Sequence, residues 1–143
     1  REARERALSL LYEAEIRGCE ASDLLAELPV PPDDYAVDLF VGVARCEPEL
    51  DARVGGHARH WSMGRMAALD RNLLRMGAYE LLHHPEVPVA VVISESVELA
   101  KLYSTDESGR FVNGVLGALA LDVRGDPIEE SPTEAAGEGG AAT

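Results

Sequence analysis

Apolar residues recur at intervals of three and four along almost the whole chain, and this spacing constrains its fold most. The clearest case is GRMAALDRNLLRMGAYELLHH, in which Met66, Leu69, Leu73 and Met76 fall on one helical face. No run alternates apolar and polar residues as a half-buried strand would. The sequence therefore predicts an all-α domain.

Several proline and capping signals divide this pattern into helices. The predicted helical segments are REARERALSLLYEAEIRG, ASDLLAEL, PDDYAVDLFVGVARCE, PELDARVGGHARHW, GRMAALDRNLLRMGAYELLHH, VAVVISESVELAKLY and STDESGRFVNGVLGALA. Pro32 and Pro48 each suit the first turn of a helix, so the third and fourth segments are predicted as separate helices. Ser104 and Glu107 fit a capping box at the start of the last segment. We therefore expect about seven helices.

The two ends of the chain differ in composition. Residues 1–120 are predicted to form one domain, because a chain of 143 residues can bury a single core. Residues 121–143 are acidic and rich in Gly, Pro and Ala, which predicts a disordered tail. No apolar run approaches the roughly 20 residues that span a bilayer, and the first residues have no signal-peptide core. We therefore expect a cytoplasmic protein that does not enter a membrane.

The charge balance is strongly acidic, with 26 Asp and Glu against 13 Lys and Arg and a formal net charge of -13. Such a chain is a poor non-specific binder of nucleic acid, although a local basic patch remains compatible with it. An acidic body suits a basic protein partner.

Signals for catalysis are absent from the sequence. It contains no P-loop, GxGxxG, GxSxG or HExxH motif. The pairs His57 with His60 and His83 with His84 each lack a third ligand in register, so we expect no metal and no cofactor. Two reduced thiols, Cys19 and Cys46, are expected rather than a disulfide.

Poor helix formers interrupt the last predicted helix. Asn113, Gly114 and Gly117 lie inside it, between apolar residues at helical spacing. We expect the Asn113 amide to hydrogen-bond the backbone of a neighbouring segment. The two glycines are expected to allow close approach of another backbone.

Two groups of arginines are candidates for binding. On a helical wheel Arg1 and Tyr12 lie about 20° apart with Arg4 beside them, so an arginine edge borders the buried face. Arg71 and Arg75 are spaced i, i+4 on the longest predicted helix. By pattern alone, both groups are also typical of a solvated helix face.

Four stretches of the chain resemble the NusB family of bacterial transcription antitermination factors, in particular its actinobacterial branch. These stretches are ARERAL followed by LLYEAE, then WSMGRMAALDRNLLRMGAYELLH, VPVAVVISESVELAKLYST and FVNGVLG. Their order and spacing also match the family, and the resemblance covers roughly residues 3–120.

The resemblance implies a helical bundle of two packed subdomains without catalytic activity. It implies binding of boxA, a short single-stranded RNA element, together with NusE, a small ribosomal subunit protein, in support of transcription of ribosomal RNA operons. Other Nus factors and RNA polymerase would be indirect partners. The resemblance matches Arg1, Arg4 and Phe111 to RNA-contacting positions and Asp70 to a NusE contact. With their neighbours, the predicted RNA contacts are Arg1, Arg4, Tyr12, Glu107, Ser108, Arg110 and Phe111. The predicted partner contacts are Asp70 together with Arg71 and Arg75, which are included for their helical spacing.

Two alternatives stay open at the level of sequence. The chain could be a homodimeric interaction module whose self-association hides the RNA face. The same fold also resembles the N-terminal domain of some ribosomal RNA methyltransferases. That alternative is weaker, because no βα segment for S-adenosylmethionine follows in this chain.

Overall fold

A computed structural model describes residues 1–58 and 65–125, which form α-helices and no strand. The helices are α1 (Glu2–Arg17), α2 (Ala21–Glu27), α3 (Asp34–Gly55), α4 (Ala68–His83), α5 (Val89–Tyr103) and α6 (Asp106–Arg124). The predicted all-α fold is confirmed. In these two ranges no helix combines the length and apolar character needed to cross a bilayer.

The helices pack as two groups around a shared core. Helices α1, α2 and α3 contact one another, as do α4, α5 and α6, and α4 also packs against α1 and α3. The largest fully buried side chains come from both groups: Phe40, Leu10, Leu24, Leu39, Leu50, Leu73, Leu74, Met76, Leu81, Leu99, Leu116 and Leu119. This arrangement agrees with the expected two packed subdomains.

Helix α3 continues through Pro48, so the prediction of two separate helices in this region was wrong. Leu39 precedes the proline, Leu50 and Val54 follow it, and all three are fully buried, so packing holds both halves in one line. A proline inside a helix leaves the carbonyl four residues earlier without its donor. Here that residue, Ala44, is exposed, and its carbonyl can bind water. Because the predicted third and fourth helices are one, the described helices number six. Residues 59–61 of the predicted fourth segment lie outside the described residues.

The last helix is longer than predicted and ends at Arg124 rather than at residue 120. The Arg124 guanidinium donates hydrogen bonds to the carbonyls of Glu80 at 3.1 Å, Leu81 at 3.2 Å, His84 at 3.0 Å and Val87 at 2.6 Å. These carbonyls belong to the end of α4 and the turn after it, where helices leave carbonyls short of intrahelical donors. The Glu80 and His84 carbonyls also accept the backbone N–H groups of His84 at 2.9 Å and Val87 at 3.0 Å. Helix α6 thus caps α4. The predicted tail from residue 126 onward lies outside the described residues.

The N-cap of α6 is Thr105, one residue later than predicted. Its hydroxyl oxygen accepts a hydrogen bond from the Ser108 N–H at 2.9 Å. The Ser104 hydroxyl instead hydrogen-bonds the Ser108 hydroxyl at 2.9 Å. The sequence therefore predicted the correct turn, but with Ser104 as its cap instead of the adjacent Thr105.

A buried carboxylate, Glu80 of α4, connects three helices. Glu80 is 0% exposed. It accepts hydrogen bonds from Arg4 Nε at 3.0 Å, Arg4 Nη2 at 2.8 Å and the Tyr35 hydroxyl at 2.5 Å. A buried ion of this kind is tolerated only when its partners satisfy it fully. Helices α1, α3 and α4 therefore meet at one polar cluster inside an apolar core.

The expectation for Asn113 and Gly114 was wrong. Both residues are exposed, and the Asn113 side chain has no hydrogen bond to any described residue. A Cβ atom on Gly114 would have nothing within 4 Å. Close packing occurs elsewhere, at Gly77 of α4, where a Cβ atom would lie 2.6 Å from Leu116 Cδ1.

Gly114→Ala should raise the free energy of unfolding by about 0.5–1 kcal/mol, because alanine is the better helix former and meets no obstacle there. Urea denaturation followed by circular dichroism measures the change. Gly77→Ala is the matched control, and it should lower the same quantity because its methyl group would collide with Leu116. A destabilised Gly114→Ala would show that this face of α6 is not open.

Candidate nucleic-acid interface

The arginines at the start of α1 fall into two environments. Arg1, the N-cap residue, is exposed, and its Nε donates to Glu95 Oε1 at 2.7 Å. This hydrogen bond lowers the pKa of the Glu95 carboxyl. Arg6 is exposed and has no ion pair with a described residue. In contrast, only 11% of the Arg4 side chain is exposed, and its guanidinium is held by Glu80. Accessible positive charge at the start of α1 therefore comes from Arg1 and from Arg6, which the sequence analysis missed.

A groove between α1, α4 and α5 exposes two tyrosines, and we call it the tyrosine groove. It has a volume of about 460 Å³ and is lined by Glu5, Leu8, Ser9, Tyr12, Leu69 and Tyr103. Tyr12 is 47% exposed and Tyr103 is 55% exposed. The Tyr103 hydroxyl donates to Glu5 Oε2 at 2.8 Å, which raises the pKa of the phenol. Tyr103 was not predicted, because no local pattern links the end of α5 to α1.

A second depression, the α6 recess, lies at the start of α6. Its volume is about 260 Å³, and its lining residues are Met66, Ala67, Asp70, Thr105, Glu107, Ser108 and Phe111. The Ser108 hydroxyl donates to Asp70 Oδ2 at 3.1 Å, whereas Asp70 Oδ1 is buried and has no hydrogen-bond partner among the residues that the structure describes. Phe111 is half-buried against the core, and Glu107 is exposed. The recess therefore places Asp70, predicted to contact the protein partner, among residues predicted to contact RNA.

The tyrosine groove and the α6 recess adjoin one another. Leu69 lines the groove and its neighbour Asp70 lines the recess. Tyr103 also lines the groove, and Thr105, two residues later, lines the recess. Two cations lie close by. Arg110 is exposed on α6, and the aliphatic part of Lys101 packs over the Gly109 backbone, where a Cβ atom would lie 2.9 Å from Lys101 Cγ. Exposed aromatic rings beside cations are what a single-stranded RNA site requires.

The other two predicted partner contacts, Arg71 and Arg75, lie on a different surface from Asp70. They line a cleft of about 710 Å³ between α1, α3 and α4. Arg75 forms a bidentate pair with Asp51 at 2.7 and 2.9 Å. Arg71 binds the Glu15 carboxylate and donates to the Met66 carbonyl at 3.0 Å. Both arginines are therefore engaged in ion pairs within the fold, and the predicted partner set is divided between two surfaces.

Comparison with known sequences identifies the family. The NusB family model matches residues 1–121. Transcription antitermination protein NusB from Saccharopolyspora erythraea is 48% identical over 125 residues, covering 82% of this chain and 84% of that protein. The protein of the same name from Salinispora tropica is 46% identical over 127 residues, covering 84% of this chain and 93% of that one.

Solved structures agree in fold. T. maritima NusB superposes with a TM-score of 0.72 at 32% identity, covering 83% of this chain and 88% of that one. A chain from the crystal structure of the antitermination factors NusB and NusE in complex with dsRNA superposes with a TM-score of 0.73 at 31% identity, covering 84% of this chain and 94% of that one. On sequence and on fold alike, this chain belongs to the NusB family of transcription antitermination proteins.

Proposed function

We propose that this chain is a transcription antitermination subunit that binds boxA RNA together with NusE and has no catalytic activity of its own. Its family membership supports this role, as does its similarity to a chain crystallised with NusE and RNA. It would act in the cytoplasm on ribosomal RNA operons, with other Nus factors and RNA polymerase as indirect partners.

The observation that carries the proposal is the tyrosine groove beside the α6 recess. Tyr12 and Tyr103 offer exposed ring faces to unstacked bases, and stacking on such faces tolerates different sequences. Phosphates passing this surface would meet Arg1 at one end and Lys101 or Arg110 at the other. The ion pair between Arg1 and Glu95 is exposed, and such pairs are weak enough to exchange for a phosphate.

The α6 recess contains an acceptor that a hydrogen-bond donor of RNA or of NusE could satisfy. Asp70 Oδ1 is a buried acceptor with no donor within residues 1–58 and 65–125, and an unpaired buried acceptor typically costs about 1–3 kcal/mol. A donor from RNA or from basic NusE that enters the recess would remove this cost. Since Asp70 shares the recess with Ser108 and Phe111, we propose one continuous contact surface for both partners in place of two separate ones.

Tyr12→Ala should weaken boxA binding about 5- to 150-fold, which corresponds to the roughly 1–3 kcal/mol lost with one base stacked on an aromatic ring. Fluorescence anisotropy of labelled single-stranded boxA RNA, with and without NusE, measures the affinity. Tyr12 is about half exposed, so the free energy of unfolding should change little.

Ile16→Ala is the matched control, because Ile16 is 66% exposed on the same helix and lies outside the tyrosine groove. It should leave RNA affinity unchanged. A duplex of the same sequence and an unrelated single strand serve as competitors. Equal affinity of Tyr12→Ala and the unchanged protein, or equal affinity for single-stranded boxA and its duplex, would contradict the proposal.

A further inference from the structure

We propose that Cys46, Glu49 and His83 form a zinc site where α3 packs against the end of α4. The thiol sulfur, a carboxylate oxygen and an imidazole nitrogen of these residues all lie within 4.8 Å of one another. The site lies outside both the tyrosine groove and the α6 recess. The sequence offered only the adjacent pair His83 and His84, because the other two ligands come from a different helix.

The helix geometry brings the three donors together. Cys46 and Glu49 are spaced i, i+3 on α3 and so share one face of that helix. His83 is the last residue of α4, and its ring lies 5.0 Å from the ring of Tyr79, which fixes its position. The Tyr79 hydroxyl is in turn hydrogen-bonded to Asp38 at 3.2 Å. The imidazole is therefore held facing α3.

The distances are close to those of a tetrahedral zinc ion. His83 Nε2 lies 3.5 Å from Glu49 Oε1. Zinc bonds of about 2.0–2.2 Å to nitrogen and oxygen place these two atoms about 3.4 Å apart. The sulfur lies within 4.8 Å of both atoms and has to approach by at most about 1.2 Å to reach its Zn–S distance of about 2.3 Å. The side chains of His83 and Glu49, 39% and 48% exposed, have room for this adjustment.

The donor set favours zinc over magnesium or calcium. A thiolate and an imidazole are ligands that zinc prefers, whereas magnesium and calcium take oxygen ligands. The thiolate and the Glu49 carboxylate would together neutralise the two charges of the ion. Three protein ligands leave one tetrahedral position for water. Cys46 is a free cysteine, so its sulfur is available to the metal.

The test uses the full chain, reduced and stripped of metal with a chelator. Addition of one equivalent of Co²⁺ should give a thiolate-to-cobalt charge-transfer band, and Zn²⁺ should remove the band by displacement. Cys46→Ser should abolish the band. His83→Gln should weaken Co²⁺ binding by more than about 10- to 100-fold, the usual cost of losing only a residue that supports a metal ligand. Thermal unfolding should shift upward with Zn²⁺ in the unchanged protein and in Cys19→Ser, but not in Cys46→Ser.

Cys19→Ser is the matched control, because Cys19 is the other free cysteine and lies apart from this cluster. It should retain the band at full intensity. Absence of the band in the unchanged protein, or its persistence in Cys46→Ser, would overturn the site. His83 and Glu49 would then form an ordinary surface ion pair beside a thiol.

Discussion

Arg4→Met should lower the free energy of unfolding by about 3–5 kcal/mol, the usual cost of removing one partner from a buried ion pair. Arg4 donates two of the three hydrogen bonds that Glu80 receives, and Glu80 has no access to solvent. The variant would leave a buried carboxylate with only the Tyr35 hydroxyl. Urea denaturation monitored by circular dichroism gives the difference.

Arg6→Met is the control, since Arg6 is exposed on the same helix, and it should change stability by less than about 0.5 kcal/mol. A double variant, Arg4→Met with Glu80→Leu, should recover most of the loss because no unpaired charge stays buried. If Arg4→Met alone were neutral, the ion pair would not stabilise the fold. The predicted loss of stability also affects RNA-binding measurements on Arg4 variants. If such a variant is destabilised as expected, its weaker RNA binding would reflect partial unfolding rather than a lost RNA contact.

Gly42→Ala should lower the free energy of unfolding by about 3 kcal/mol, the upper end of the usual cost of overpacking. A Cβ atom at Gly42 would overlap Cζ and Oη of the Tyr79 side chain. The ring of Tyr79 cannot move aside easily, because it is 4% exposed and its hydroxyl is bonded to Asp38. The midpoint and slope of a urea titration measure the loss.

Gly55→Ala provides the comparison within the same helix. A Cβ atom at Gly55 would have nothing within 4 Å, so this variant should be neutral or slightly stabilising. If Gly42→Ala and Gly55→Ala changed the free energy of unfolding equally, α3 and α4 would be farther apart at Gly42 than in this structure.

The sequence was sufficient for the fold class because the apolar spacing is helical throughout. It failed at Pro48, where a local signal for a helix start competed with burial of Leu50 and Val54, and burial prevailed. It also failed at Asn113 and Gly114, which lie on the open side of α6. Periodicity places a residue on a face, but which faces are covered depends on the other helices.

The candidate site shows the same limit. The helical wheel correctly put Arg4 at the border of the buried face, but its partner Glu80 is 76 positions away in sequence. Asp70 and Arg75 are both on α4, yet one lines the α6 recess and the other the cleft with Asp51. Residues of one helix can therefore serve different surfaces, and spacing within the helix cannot group them.

The cap that Arg124 provides for α4 has a consequence for the order of folding. A chain leaves the ribosome from its N-terminus, so α4 is synthesised well before the last turn of α6. Until Arg124 arrives, the carbonyls of Leu81 and Val87 lack the guanidinium donor that they have in the finished domain. The carbonyls of Glu80 and His84 have only their backbone donors, the N–H groups of His84 and Val87. The N-terminal helices can therefore assemble early, but the packing of α4 described above is completed only when Arg124 of α6 has been added.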